Sequence, residues 1–381
     1  MKKQISQKST REKIATKRPR IDLKLLILIT ILLSLGTLMV ISASMPYAES
    51  HYQNKYYYVT RQVIFLLIGT AVLFATSRIP VRIFKRFSLH IYLLCLALLI
   101  LVLLGGFSEG VAKRWLGIPG TPLSFQPSEL MKLGLILALS WWIDRTAQKK
   151  KTMANEIIVP GLFLFGAAAL ILLEKHLSGT VILVLIGFSI MFIAGASIKK
   201  MIAVYGATGI CGGIVFLFTN DYAMKRIESF LNPNADILSD KWQTTQGLYA
   251  IGSGGVWGRG IGNSLQKYSY VSEPQNDFIF TIFCEETGYF GAVLLISLFV
   301  MLIFRGYKIA LNAENTYSSL VAFGITSQVG IQALLNMAVV TDLIPNTGIS
   351  LPFFSYGGSS LVILLAEMGI LLSISRKARV K

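Results

Sequence analysis

Charge is scarce in this chain: Asp, Glu, Lys and Arg make up 14% of its 381 residues, while 54% are hydrophobic. A soluble protein carries about 25% charged residues, so the soluble class is excluded. Cysteine is also rare. Cys95, Cys211 and Cys284 each sit inside an apolar run, which argues against a disulfide framework or a thiolate metal site and leaves them as small core residues. The three histidines, His51, His90 and His176, are scattered without ligand spacing and receive no role. Glycine is plentiful, with 33 residues, yet neither Gly-x-Gly-x-x-Gly nor Gly-x-x-x-x-Gly-Lys-Ser/Thr occurs. Dinucleotide and P-loop chemistry are therefore not supported.

What the chain has instead is apolar length. Runs of roughly 20 apolar residues, enough to cross ~30 Å of hydrocarbon as a helix, recur along it. Ten are predicted: 23–44, 59–77, 87–105, 128–144, 156–173, 178–196, 201–219, 277–304, 317–341 and 356–375. The expected fold class is an all-α polytopic membrane protein. A basic tail (1–22) precedes a membrane domain (23–375), which carries an outer loop between spans seven and eight (220–276), and a short tail (376–381) follows. No small-residue cleavage site follows a short apolar core, so the first span is expected to stay uncleaved.

The net charge of +17 would suit a nucleic acid, but its placement points elsewhere. With ten spans both termini share one side. The loops on that side and the two tails hold 25 of the 36 Lys and Arg residues, among them Lys2 to Lys24, Arg82, Lys85, Lys149 to Lys151, Lys199 and Arg376. That bias makes the side cytoplasmic, with both termini inside. Glu49, Glu109, Asp221, Asp236, Asp240 and Glu273 fall on the opposite face. Polar chemistry is expected there, and no nucleic-acid partner.

Three outer segments carry unusual content. The long loop contains "QGLYAIGSGGVWGRGIG", apolar and glycine-rich, which reads as a re-entrant or interface-lying segment that packs closely. A loop at 106–127 brings Lys113, Arg114 and Trp115, which either anchor the membrane interface or meet a ligand. It leads into "QPSELMK", where Glu129 either complements a helix dipole or pairs with Lys132 three residues on, inside the bundle. The third, "DLIPNTGISLPFFSYGGSS", enters span ten. Its Ser359 and Ser360 are either small packing residues or, with backbone N–H groups at a helix start, an anion site.

The stretch "SEPQNDFIFTIFCEETG" concentrates the question, because carboxylates are costly at membrane depth. Asp277 stands at the start of span eight, with Glu285 and Glu286 two turns deeper. At 100° per residue Glu285 lies about 80° from Asp277 and Glu286 about 180°. Glu285 is therefore expected to share Asp277's cavity and Glu286 to pack on another helix. An outward cavity with carboxylates, cations and a candidate anion site fits an amphiphilic, anionic, lipid-linked substrate.

Three long segments, "RWLGIPGTPLSFQPSELMKL", "QGLYAIGSGGVWGRGIGNSLQKYSYVSEPQNDFIFTIFCEETGYFGA" and "LIPNTGISLPFFSYGGSSL", closely resemble signature segments of the SEDS family (shape, elongation, division and sporulation), which comprises FtsW, RodA and SpoVE. The likeness spans nearly all ten predicted helices and leans toward the FtsW and SpoVE branches. It implies a peptidoglycan glycosyltransferase that polymerises lipid II and releases undecaprenyl pyrophosphate. The family's essential aspartate falls on Asp277, its "QPSE" glutamate on Glu129 and its Arg-Trp pair on Arg114 and Trp115. Two departures stand out. Lys175 and His176 replace the Pro and Asp of an acidic run, which puts the junction of spans five and six in question, and Asp342 replaces a usual Gly.

The resemblance further implies a class B penicillin-binding protein as transpeptidase partner and other divisome or elongasome membrane proteins. The leaving pyrophosphate needs its charge held by Arg or Lys, a helix N-terminus or a divalent cation (Mg or Mn), and no organic cofactor is expected. The substrate-binding set expected around catalytic Asp277 is Arg114, Glu129, Lys132, Glu285, Ser359 and Ser360. A lipid II flippase and a transpeptidase scaffold are the alternatives. Acids gathered toward the outer side favour chemistry over transport, which needs charge spread through the membrane.

Overall fold

The structure is a computed structural model that describes residues 21–108, 113–117, 124–148, 152–206, 209, 221–231, 241–268 and 270–378. The described elements are α1 (Leu23–Tyr52), α2 (Tyr57–Arg78), α3 (Val81–Gly105), β1 (Phe107–Ser108), β2 (Lys113–Trp115), α4 (Pro127–Thr146), α5 (Val159–Leu173, entered by a π-helical turn at Ala154–Ile158), α6 (Leu177–Ile193), α7 (Ile198–Met201), α8 (Asp221–Leu231), α9 (Trp242–Ser253), α10 (Ile279–Leu311), α11 (Thr316–Val340) and α12 (Gly358–Ser375).

Helix ends follow from the local sequence. Asp22 caps α1, its carboxylate accepting from the Leu25 amide at 3.0 Å. Asn315 caps α11 in the same way, accepting from the Ser318 amide at 2.9 Å. Pro80 separates α2 from α3, and Pro127 opens α4 at a position where its missing N–H costs nothing. β1 and β2 form a small antiparallel hairpin in which Phe107 faces Trp115.

Among the described residues, seven helices are long and apolar enough to cross a membrane: α1, α2, α3, α5 with its π turn, α10, α11 and α12. Predicted spans four and six are present as α4 and α6. However, α4 carries Glu129, Lys132, Asp144 and Arg145, and α6 has only 17 residues, so neither meets that measure. Predicted span seven (201–219) begins with a short π turn at Ile202–Gly206 and otherwise lies outside the described residues, as do most of the basic tail and Cys211. Cys95 and Cys284 are buried free thiols. Spans one and eight run further than expected, to Tyr52 and Leu311.

The helices pack as a bundle around α4 and α11. Every residue of α4 from Met131 to Ser140 is buried at the centre of the bundle, the apolar ones by packing and Lys132 by its ion pair with Glu129. α11 packs against α4, α6, α10 and α12, α12 lies along α2, and α1 lies along α10. Leu67, Leu104 and Phe304 point outward, where hydrocarbon takes the place of a protein neighbour. This is a multi-pass helical membrane protein.

Candidate functional site

α10 is broken near its start. Gly288 has φ 68° and ψ −166°, which interrupts the helical ladder within a turn of Glu285 and Glu286. The glycine-rich loop repairs the gap. The amides of Arg259 and Gly260 donate to the Glu285 and Glu286 carbonyls at 3.0 Å each, and Tyr289 N donates to Gly255 O at 2.9 Å. Backbone meets backbone here: a Cβ on Gly254 or Gly258 would collide with the Cys284 or Glu286 carbonyl. The close-packing reading of that segment therefore holds.

The two glutamates fasten the same loop. Glu285 is fully buried and accepts from Ser264 Oγ (2.5 Å), Leu265 N (3.0 Å) and Gln266 N (3.3 Å), with Arg259 Nε 3.7 Å away. Glu286 accepts from Lys267 Nζ at 2.9 Å and from Ser42 Oγ of α1 at 2.6 Å. Glu286 thus packs on another helix as expected. The expectation that Glu285 shares Asp277's cavity is corrected. α10 begins at Ile279, so helical angles cannot be counted from Asp277, and the Glu285 carboxylate is taken up by residues 264–266.

Asp277 lies in the turn before α10, half-buried but densely surrounded by protein. Burial raises its carboxyl to about 6, with Glu273 adding to the rise; backbone amides of Asp277 and Phe278 and the Arg226 cation pull the other way. Its position is fixed by Asn336 of α11, whose Nδ2 donates to Asp277 O at 2.7 Å and to Ile349 O at 2.6 Å. One carboxamide thus ties the turn before α10 to the 342–350 segment. The backbone of Gly348 runs over the carboxylate, close enough that a Cβ there would stand 3.6 Å from Asp277 Oδ2.

Four residues back along α11, Gln332 performs the matching task. It accepts from Lys132 Nζ at 3.0 Å and donates to Ser350 O and Oγ at 3.0 and 2.9 Å. Lys132, itself buried, pairs with Glu129 at 2.9 Å, so the expected intrabundle ion pair is present. One further turn back, Gln328 donates to both oxygens of buried Glu367. Gln328, Gln332 and Asn336 form a polar stripe at four-residue spacing that brings the Glu129–Lys132 pair and Asp277 to the two ends of residues 349–350. The sequence reading passed over this stripe, although its spacing in an apolar span was visible.

The remaining expected residues fall into two groups. Ser359 Oγ accepts from Gln126 N at 3.3 Å, and Ser360 Oγ donates to Gly357 O at 3.1 Å. Ser360, Glu129, Gln328, Gln332 and Ser350 line a cavity of about 20 Å³. That is room for about one water, not a pyrophosphate, and a carboxylate faces it. Arg114 lies on β2, where its Nη2 donates to Lys175 O at 2.8 Å. There Glu174 is buried, and burial lifts its carboxyl to about 8 against the pull of Arg114. Buried His176 is held neutral by desolvation, its Nδ1 3.3 Å from Ser128 Oγ. The Lys175–His176 departure thus leaves an ordered junction between α5 and α6. A cavity of about 890 Å³ lies elsewhere, between α1 and α2, and is lined by Leu33, Leu38, Leu67 and Tyr268 among others.

A half-buried carboxylate with a raised pKa, held by converging loops at one end of a helical membrane bundle, defines the class as a membrane-embedded protein with a candidate acid–base site. The chain belongs to the SEDS family: residues 23–380 match the family of cell cycle proteins FTSW_RODA_SPOVE. It is 39% identical over 369 residues to stage V sporulation protein E of Bacillus subtilis, covering 96% of this chain and all of that one. It is 38% identical to a probable peptidoglycan glycosyltransferase FtsW of Geobacter sulfurreducens over 94% of this chain and 96% of the relative. Among solved structures it resembles a chain of a peptidoglycan synthase complex that coordinates polymerization and crosslinking (TM-score 0.76, 25% identity, 93% and 98% covered). It also resembles the rod shape determining protein RodA of Thermus thermophilus (TM-score 0.70, 26% identity, 94% and 98% covered).

Proposed function

We propose that this protein is a peptidoglycan glycosyltransferase that polymerises lipid II at the outer face of the bacterial cytoplasmic membrane, with Asp277 as its general base. The observation that carries the reading is the placement of Asp277, half-buried in the turn before α10 with its backbone held by Asn336 and its carboxylate under Gly348. Burial raises that carboxyl toward neutral pH, where a base can take a proton and still be ionised. The acceptor's 4-hydroxyl oxygen attacks the anomeric carbon of the polyprenyl-pyrophosphate donor. The bond from that carbon to the pyrophosphate oxygen breaks, pyrophosphate leaves with the electron pair, and the hydroxyl proton passes to an Asp277 oxygen. Proton removal of this kind contributes ~10²–10⁴-fold.

Among the described residues, no three His, Cys, Asp or Glu side chains come together as a metal cage. A divalent cation arriving with the pyrophosphate belongs to this proposal, with Asp277 and Glu273 the nearby carboxylates, and no step is routed through it. The reading includes ten spans with both termini cytoplasmic and a class B penicillin-binding protein as partner, supported by the resemblance to a chain of a peptidoglycan synthase complex. A reporter inserted near Asp236 is then expected outside and one after Lys149 inside; the opposite result would reverse the active face. The flippase alternative draws on the Glu129–Lys132 pair and Glu367, but Lys132 and Glu367 are bonded to Gln332 and Gln328, and the cavity those glutamines line with Glu129 is too small to pass a headgroup. Incubating purified protein with lipid II, with and without the penicillin-binding protein, tests the proposal. Glycan strands that vanish in Asp277→Asn support it; no polymer under either condition sinks it.

A further inference from the structure

A glycosyl transfer from a pyrophosphate donor needs two opposed groups: a base for the incoming hydroxyl and a cation for the outgoing phosphate charge. The site holds its base in Asp277. At the sequence-predicted anion site, Ser360 opens on about 20 Å³ beside Glu129, too little for a pyrophosphate, and Ser359 Oγ is bonded to Gln126 N. Lys132 and Lys267 are buried on Glu129 and Glu286, and Arg114 is bonded to Lys175 O beside Glu174.

Arg226, on α8, occupies the missing position. Its Nη1 donates to Asn346 O at 2.6 Å, on the segment that crosses the Asp277 carboxylate at Gly348. Asn346 is itself set in a frame. Its Oδ1 accepts from Gly348 N at 3.2 Å, and its Nδ2 donates to Gln243 Oε1 at 3.3 Å. Gln243 in turn donates to Ser272 O at 3.0 Å. α8, α9, the turn before α10 and the 342–350 segment are thereby fixed around one point, with Arg226 half-buried at its edge. The Arg226 cation pulls the Asp277 carboxyl down, while Glu273 acts in the other direction.

We propose that Arg226 holds the leaving pyrophosphate of the lipid-linked donor beside Asp277, a role that rests on the glycosyltransferase reading above. A guanidinium offers a planar fork that matches two phosphate oxygens, which a lysine cannot reproduce. The cation does its work as the carbon–oxygen bond breaks and charge gathers on the departing pyrophosphate.

The test uses the full-length protein with lipid II. Arg226→Gln is expected to lower kcat by about 10²-fold or more, as for loss of one group that stabilises transition-state charge, and Arg226→Lys to recover only part. Inhibition by undecaprenyl pyrophosphate should weaken at least tenfold in Arg226→Gln (~1.4 kcal/mol), while any inhibition by undecaprenol, which has no phosphate, stays unchanged. The acid limb of the rate profile should move to higher pH in Arg226→Gln, because the charge that lowers Asp277 is gone, and stay near its wild-type position in Arg226→Lys, which keeps that charge. A purely structural arginine predicts a lower melting temperature with product inhibition and acid limb unmoved, and that outcome overturns the proposal. If Arg226→Gln does not fold, product inhibition of Arg226→Lys decides: unchanged inhibition overturns it. Wild-type polymerisation with normal Arg226→Gln turnover sinks this proposal alone, whereas a wild type that makes no glycan sinks the reading beneath it as well.

Discussion

Asp277→Asn separates catalysis from stability because the two should move in opposite directions. The folded carboxyl titrates at about 6 against an ordinary 3.8, so its ionised form is disfavoured by the fold at neutral pH. That difference corresponds to roughly 3 kcal/mol at most. The sign follows from linkage: a carboxyl raised on folding adds stability while it is protonated, and that contribution is lost as pH rises through about 6. Asparagine removes the charge at nearly constant volume. The variant is therefore expected to melt higher than wild type at pH 7.5, and the gap should close as pH falls below about 4. Turnover of lipid II should meanwhile collapse by ~10²-fold or more. Asp277→Glu should rescue little, since another methylene displaces the oxygen by about 1 Å. Strand synthesis and thermal melting measured on one preparation decide the matter. A stable Asn variant with near-normal polymer refutes the base, and an Asn variant that melts lower at pH 7.5 refutes the burial argument.

Two further predictions concern the loop that braces α10. Glu286→Gln leaves the buried Lys267 ammonium without its counter-charge and should cost about 3–5 kcal/mol, read as a lower melting temperature, with Glu286→Leu plus Lys267→Met recovering most of it; a single variant that melts like wild type would contradict this. Gly258→Ala places a Cβ on the Glu286 carbonyl at φ 80° and should abolish folded yield. Gly255→Ala, at φ 54° with open space around it, should cost only about 1–2 kcal/mol; equal behaviour of the two would show that the close approach is not what the glycine serves.

What could be read from the sequence was whatever depends on local composition. Apolar runs locate helices because a spanning segment must be apolar over its whole length, and the Glu129–Lys132 pair follows from helical spacing alone. Glu285 was misassigned for a definite reason. Angular reasoning requires one continuous helix, and Asp277 sits in a turn outside it, while Gly288 breaks the helix beyond it. The glycines of the long loop gave a true signal, close packing, but not the surface they pack on, because the break they repair lies in another segment.

Arg226 was missed because nothing near it in sequence marks it; it meets Asp277 only through the 342–350 segment and α9. The stripe of Gln328, Gln332 and Asn336 differs from both, since four-residue spacing of carboxamides in an apolar helix is a local signal that was there to be read. Carboxamides in such a helix need partners, because an unsatisfied amide in hydrocarbon costs several kcal/mol. Three of them in register therefore imply three partners on one line. Here those partners are Glu367, Lys132 with Ser350, and the Asp277 backbone with Ile349. The candidate base is thus positioned by the same helix face that holds the buried ion pair, so a change at Glu129 or Lys132 can reach Asp277 through residues 349–350 without touching substrate.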